Sequence, residues 1–169
     1  MITIEIETER LTIRTLTVTD VGDRYVDWLL DDNSSKYLTN RLAFDDLRKY
    51  VAEKTSDQNI LFMGIFEKKT ALHIGNIKYE PIDLEGGDAI MGILIGDCEW
   101  RGKGVAKEVI EATALWLNKN KNIERIILGV NVENEHAIRA YKKIGFKEQE
   151  SDKIKHGNSN GITMVLEMG

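Results

Sequence analysis

Cysteine and proline occur once each, as Cys98 and Pro81, and histidine three times. A single thiol excludes an internal disulfide and suits a reducing compartment, so a cytoplasmic protein is expected. With one proline, no repeat and no low-complexity stretch, nothing marks an internal boundary, and residues 1–169 read as a single domain. No run approaches the ~18 apolar residues of a membrane-spanning helix, so no membrane partner is expected. The segment Met1-Ile2-Thr3-Ile4-Glu5-Ile6-Glu7 alternates apolar and polar residues as an extended stretch and lacks the basic-then-apolar order of a secretory leader. Surplus positive charge is also missing. The formal net charge is -5, and Lys119, Lys121, Arg125, Lys142 and Lys143 are interleaved with acids, which argues against a nucleic-acid partner. No metal requirement is read from the residues.

What is present is a composition of 42% hydrophobic and 30% charged residues, enough to bury about two-thirds of the unfolded surface around one core. Residues 10–16 alternate with period two and predict a strand. Thr19 or Asp20 can cap a helix whose apolar side is Val21, Tyr25, Trp28 and Leu29. Residues 31–40 are polar and turn-rich. A second helix is expected from about Asp45 to Lys54, with Leu47, Tyr50 and Val51 inward. Strands follow at 60–66, 73–79 and 89–95, separated by the turns Glu67-Lys68-Lys69 and Glu85-Gly86-Gly87-Asp88. A long amphipathic helix is expected over 103–118, a buried strand over 125–132, and a helix over 134–144 that Gly145 stops. Strands at 146–150 and 163–167 complete an α+β order, mostly antiparallel with one parallel pair where a helix crosses over.

The densest chemistry lies in Ile93-Leu94-Ile95-Gly96-Asp97-Cys98-Glu99-Trp100-Arg101-Gly102-Lys103-Gly104-Val105-Ala106. A strand ends, a loop of small and polar residues turns, and a helix starts. Free backbone N–H groups and partial positive charge at a helix start can hold a phosphate, and glycines let it approach the backbone. A plain glycine-rich turn is the alternative. Neither a Walker loop nor a dinucleotide-binding glycine fingerprint is present.

Arg101-Gly102-Lys103-Gly104-Val105-Ala106 resembles the pyrophosphate-binding motif of the GNAT acetyltransferases, Arg/Gln-x-x-Gly-x-Gly/Ala. The stretch from Asn134 to Phe146 is similar to that family's downstream motif. The resemblance, surest over 89–147, implies a mixed, mainly antiparallel sheet of about seven strands flanked on both faces by about four helices. It implies an acetyl-CoA-dependent N-acetyltransferase acting on a primary amine by direct transfer, as a monomer or homodimer. By the same resemblance, the backbone of Arg101, Gly102, Lys103, Gly104, Val105 and Ala106 would cradle the CoA pyrophosphate. Leu94 and Ile95 would bond the pantetheine arm, and Asn134 would touch it, though an ordinary helix cap is as good a reading of Asn134. Tyr141 matches the tyrosine that protonates the departing thiolate; the alternative is a half-buried packing aromatic.

The base that accepts the amine proton stays open among Glu80, Asp97, Glu99, His136 and water. Cys98 has no His/Asp partners in sequence and reads as a small loop residue rather than a nucleophile. For the acceptor, the stretch from Tyr25 to Arg41 resembles ribosomal-protein N-terminal acetyltransferases and, more weakly, enzymes acting on amino sugars. Trp28 and Tyr37 would stack on a sugar and Arg41 would meet a nucleotide phosphate. A nucleotide-linked amino sugar is therefore slightly favoured, with a protein or peptide N-terminus as the rival and a non-catalytic CoA-binding module as a third reading. Core aromatics and a surface arginine are the structural alternative.

Overall fold

Alternating burial turns the period-two stretches into strands. The structure, a computed structural model, describes residues 3–30, 40–156 and 160–169, with side chains described except at 30 and 40–43. Strand β1 (Glu5–Glu7) pairs antiparallel with β2 (Leu11–Thr15), and β2 with β3 (Leu61–Glu67). On β2, Leu11, Ile13 and Thr15 are buried while Thr12 and Arg14 are half-exposed. Helices α1 (Asp23–Leu30) and α2 (Asn40–Ser56) lie between β2 and β3 in the chain. Then come β4 (His73–Asp83), β5 (Asp88–Ile95), α3 (Val105–Lys121), β6 (Arg125–Asn131), α4 (Glu135–Ile144), β7 (Lys147–Glu148) and β8 (Gly161–Glu167). The sheet has eight strands in the order β1-β2-β3-β4-β5-β6-β8-β7. β5 and β6 run parallel, joined through α3, and β6 and β8 run antiparallel.

The α+β order is as expected, with four differences at element ends. The strand count is eight rather than about seven because Glu5–Glu7 finds a partner in β2. Helix α2 begins at Asn40, not near Asp45; Leu42 and Ala43 are good helix formers that extend it backwards. β4 continues through Pro81 to Asp83, since Pro81 is exposed and Ile82 still buries its side chain. Helix α3 starts at Val105 instead of Lys103, because Gly102 and Gly104 have φ of 73° and 77° and cannot join a right-handed helix.

The backbone clusters into two compact units. The first comprises Met1–Lys78 and Ile93–Val105. Its core joins Leu16, Val21, Tyr25, Val26, Leu47, Val51, Phe62 and Phe66, with Trp28, Phe44, Tyr50 and Ile60 packed against it. Arg14 holds Asp20 through two contacts of 2.8 Å and lies 4.0 Å from the centre of the Phe66 ring. The second unit comprises Tyr79–Gly92 and Ala106–Gly169. Here Val109, Ile110 and Leu117 of α3 are buried, as are Ile126, Ile127 and Leu128 of β6. The fully buried Tyr79 hydroxyl lies 2.7 Å from that of Thr113, so neither polar group is left bare. Arg125 donates to the buried Asp88 at 2.6 Å, fixing the start of the parallel pair.

His73, in the first unit, is the polar exception in an aromatic surround. Its ring stacks on Phe66 with centroids 4.7 Å apart and meets Trp28 and Tyr25 edge-on at 4.9 and 5.6 Å. Nε2 lies 2.7 Å from the Asn76 carbonyl oxygen, which can only accept, so Nε2 carries the proton in the neutral ring. Nδ1 is buried without a partner among the described residues. Burial holds the imidazole pKa below its usual value, with the Asn76 bond and the Asp20 charge opposing this and Arg14 adding to it. The folded state therefore binds the proton less readily than the unfolded chain, and His73 withdraws stability as pH falls below the ordinary imidazole range. Urea midpoints should drop from about pH 7 to about pH 5.5, with a limiting slope near 1.4 kcal/mol per pH unit. In His73→Phe that portion of the slope should vanish; an unchanged slope would show that His73 carries none of it.

Candidate active site

The loop after β5 is fastened at its entry. The N–H groups of Gly96 and Asp97 both donate to the Ile74 carbonyl, at 3.0 and 3.1 Å. Asp97 accepts from the Glu99 amide at 2.9 Å and so caps a single 3-10 turn over Cys98–Trp100. Arg101 folds back, its Nε donating to the Ile95 carbonyl at 3.0 Å and a terminal nitrogen to that of Gly96 at 3.4 Å. Leu94 and Ile95 are half-buried at the end of β5. The parallel register of β5 with β6 covers Asp88↔Arg125 to Ile90↔Ile127, while β6 goes on pairing β8 as far as Asn131↔Gly161.

Past the entry, residues 101–104 are exposed. A Cβ on Gly102 would meet nothing within 4 Å, and one on Gly104 would meet only Arg10 Nη2, at 3.8 Å. Crowding by the protein is thus not what calls for glycine; the left-handed backbone is, and it leaves open space over the turn. Val105, 2% exposed, anchors the first turn of the 17-residue α3. The first amides of that helix have no intrahelical acceptors, so the exposed turn meets the positive end of a helix dipole. Residues Arg101 to Ala106 therefore fit an anionic group such as a pyrophosphate, with Arg10 as a nearby cation that no local sequence signal singles out.

Asn134 and Tyr141 are described within the second unit. Asn134 accepts from the Ala137 amide at 3.3 Å and is the helix cap of α4. Tyr141 lies seven residues later, half-buried, with its ring edge-on to Phe146 at 5.7 Å. Burial raises its pKa, so the phenol keeps its proton at neutral pH. Among the described residues nothing bonds its hydroxyl. The chain end of the helix follows at once: Gly145, with φ of 123°, and Phe146 both donate to the Tyr141 carbonyl.

The other candidates separate by environment. Asp97 is bound by Arg24 at 2.7 Å; partial burial pushes its pKa up, but the bonds from Arg24 and the Glu99 amide outweigh that and lower it. A carboxylate so held is a poor proton acceptor. Glu99 and His136 are exposed and Glu80 is half-buried on β4. Cys98 is exposed. No group of three metal-ligating side chains occurs among the described residues, and none of the described helices is long and apolar enough to cross a membrane. Trp28 is packed rather than displayed: its ring lies 5.8 Å from Tyr25 and covers Gly96, where a Cβ would come within 2.0 Å. Tyr37 lies outside the described residues, and so does the side chain of Arg41. One cavity of about 490 Å³ opens on the second unit, lined among others by Glu148, Glu150, Asp152, His156 and Thr163. His156 lies 2.8 Å from the Thr163 hydroxyl there.

The chain is similar to known acetyltransferases in sequence and in fold. The uncharacterized N-acetyltransferase p20 of Bacillus licheniformis is 26% identical over 147 residues, 84% of this chain and 82% of that protein. The ribosomal-protein-S5-alanine acetyltransferase of Vibrio fischeri superposes with a TM-score of 0.76 at 16% identity, covering 97% of this chain and 96% of that one. A spermidine N-acetyltransferase mutant from Vibrio cholerae gives 0.74 at 22% identity, covering 95% of each. At such identities the structural likeness shows the fold. A family model described as "Acetyltransferase (GNAT) domain" matches residues 10–147. That match spans the Gly102–Gly104 turn, α3 and α4, and the chain belongs to the GNAT family of N-acetyltransferases.

Proposed function

We propose that this enzyme moves an acetyl group from acetyl-CoA directly to a primary amine, with the CoA pyrophosphate held by the backbone of Arg101 to Ala106. The observation that carries the reading is the exposed left-handed turn at Gly102 and Gly104, set against the free amides of α3. Leu94 and Ile95, on β5 beyond the last residue registered with β6, supply main-chain groups for the pantetheine arm. Asn134 serves as helix cap and arm contact together.

In the reaction the amine nitrogen bonds to the acetyl carbon, the thioester C–S bond breaks, and the amine loses a proton while the sulfur gains one. Tyr141 is assigned the second transfer. Its hydroxyl is protonated by burial and unclaimed among the described residues, as a donor to a leaving thiolate must be. For the first transfer the structure favours water or an exposed carboxylate over Asp97, which its arginine occupies.

For the acceptor, the balance moves from a nucleotide-linked amino sugar toward an amine on a cationic body, such as a peptide N-terminus. Trp28, proposed to stack on a sugar, has its ring committed to Tyr25, His73 and Gly96. We assign the acceptor's body to the cavity lined by Glu148, Glu150 and Asp152, whose carboxylates would repel a diphosphate.

Gly104→Asp tests the donor half. It adds negative charge over the turn and should weaken CoA binding by at least ~2 kcal/mol, roughly thirtyfold, in calorimetry. Gly104→Ala, which bears the same left-handed strain without the charge, should lose much less; equal losses would show strain rather than anion repulsion. Tyr141→Phe keeps the ring against Phe146 and removes the proton. Its kcat should fall by about tenfold to ten-thousandfold with CoA affinity little changed. A kcat within twofold of the parent would leave Tyr141 a packing residue.

A further inference from the structure

The entry to the donor loop is held from outside the loop by one side chain, Arg24 of α1. Its Nε donates to the His73 carbonyl at 3.1 Å, and a terminal nitrogen reaches Asp97 Oδ2 at 2.7 Å. Its guanidinium carbon also lies 5.9 Å from the Trp28 ring, the ring that covers Gly96. One planar group thus ties α1 to the first residue of β4 and to the residue that caps the Cys98–Trp100 turn. On the other side of Asp97, Oδ1 takes the Glu99 amide. The carboxylate is filled from both sides, and its orientation sets where the chain goes on leaving Gly96.

Stability is a weak reason for this arrangement. The Arg24 side chain is 44% exposed, and ion pairs with so much water contact contribute little to folding. The fork geometry of a guanidinium is better suited to fixing direction, since two bonds in one plane define an angle that a flexible ammonium does not. Both contacts lie within the first unit, so they act on the loop locally. From Asp97 the path to Gly102 is short and already constrained by the Arg101 bonds to the Ile95 and Gly96 carbonyls. Loosening the start of such a loop costs the ligand the entropy of ordering it again.

We infer that Arg24 is a positioning residue for acetyl-CoA, acting through Asp97 to hold the Gly96–Gly104 loop in its binding path. The inference rests on the donor-loop reading given above. It also assigns Asp97 a role other than proton acceptor. Nothing near Arg24 in sequence announces this, because its partner is 73 residues away.

The test is a double-mutant cycle with Arg24→Gln, Asp97→Asn and the pair, read by CoA calorimetry and steady-state kinetics. The carboxamide oxygen in Asp97→Asn can still accept from the Glu99 amide, so the turn keeps its cap while the ion pair is lost. Each single variant should raise the Kd for CoA and the acetyl-CoA KM by on the order of tenfold, with kcat at saturating acetyl-CoA kept. The double variant should be no worse than the weaker single. Changes below threefold in both singles, or losses that multiply in the double, overturn the inference. So does a kcat loss in Asp97→Asn alone, which would make Asp97 the proton acceptor. If Arg24→Gln fails to fold, Asp97→Asn decides by the same thresholds. Absence of CoA binding by the parent protein overturns the donor-loop reading itself, whereas parent-like binding in the variants overturns only the role of Arg24.

Discussion

A right-handed helix cannot start while φ is positive, and the donor loop turns on this constraint. With Gly102 and Gly104 both left-handed, α3 is delayed to Val105 and its first amides face an open turn. Val105 then sinks into the core and fixes the helix beneath that turn. Upstream, the Ile74 carbonyl takes two amides and Arg101 bonds back to the strand end, so the loop meets its ligand with little freedom left to lose. The chemistry asked of the protein is modest, because the thioester is already activated. Holding the donor and supplying one proton is most of the task.

Charge is distributed to the same end. The chain is acidic overall, yet the turn that would meet a pyrophosphate has Arg10 beside Gly104 and a helix dipole beneath it. The C-terminal hairpin carries the opposite sign, with Glu148, Glu150 and Asp152 around its cavity. An anionic donor and a cationic amine are thus offered complementary surfaces on different elements. The phenol of Tyr141 keeps its proton through burial rather than through a partner, which leaves the hydroxyl available to give one away.

The donor half of the site was legible in the sequence because it is local. Glycines two residues apart after an apolar strand, followed by an amphipathic helix, spell a turn and a helix start. Tyr141 and the stop at Gly145 are likewise carried by one short stretch. The boundaries failed where tertiary contacts decide: Glu5–Glu7 needs β2 to become a strand, and Pro81 is tolerated only because it is exposed. The sequence placed α3 two residues early because Lys103 is a good helix former and its glycine neighbours' dihedrals are invisible in the text. Trp28 looked like an aromatic on display, and its cover of Gly96 could not be read, since the contact joins α1 to the end of β5. Arg24 and Arg10 were missed for the same reason.

The central claim is that acetyl leaves CoA only when a primary amine takes it. The direct measurement is thiol release from acetyl-CoA by the purified protein with a short peptide bearing a free N-terminus, a polyamine and a nucleotide-linked amino sugar. The account predicts release that depends on the amine and matches acetylated product mole for mole, with kcat/KM for a cationic amine at least about tenfold above that for the nucleotide-linked sugar. A higher value for the nucleotide-linked sugar would contradict the acceptor assignment. Thiol release no faster with any amine than without one would contradict the account as a whole.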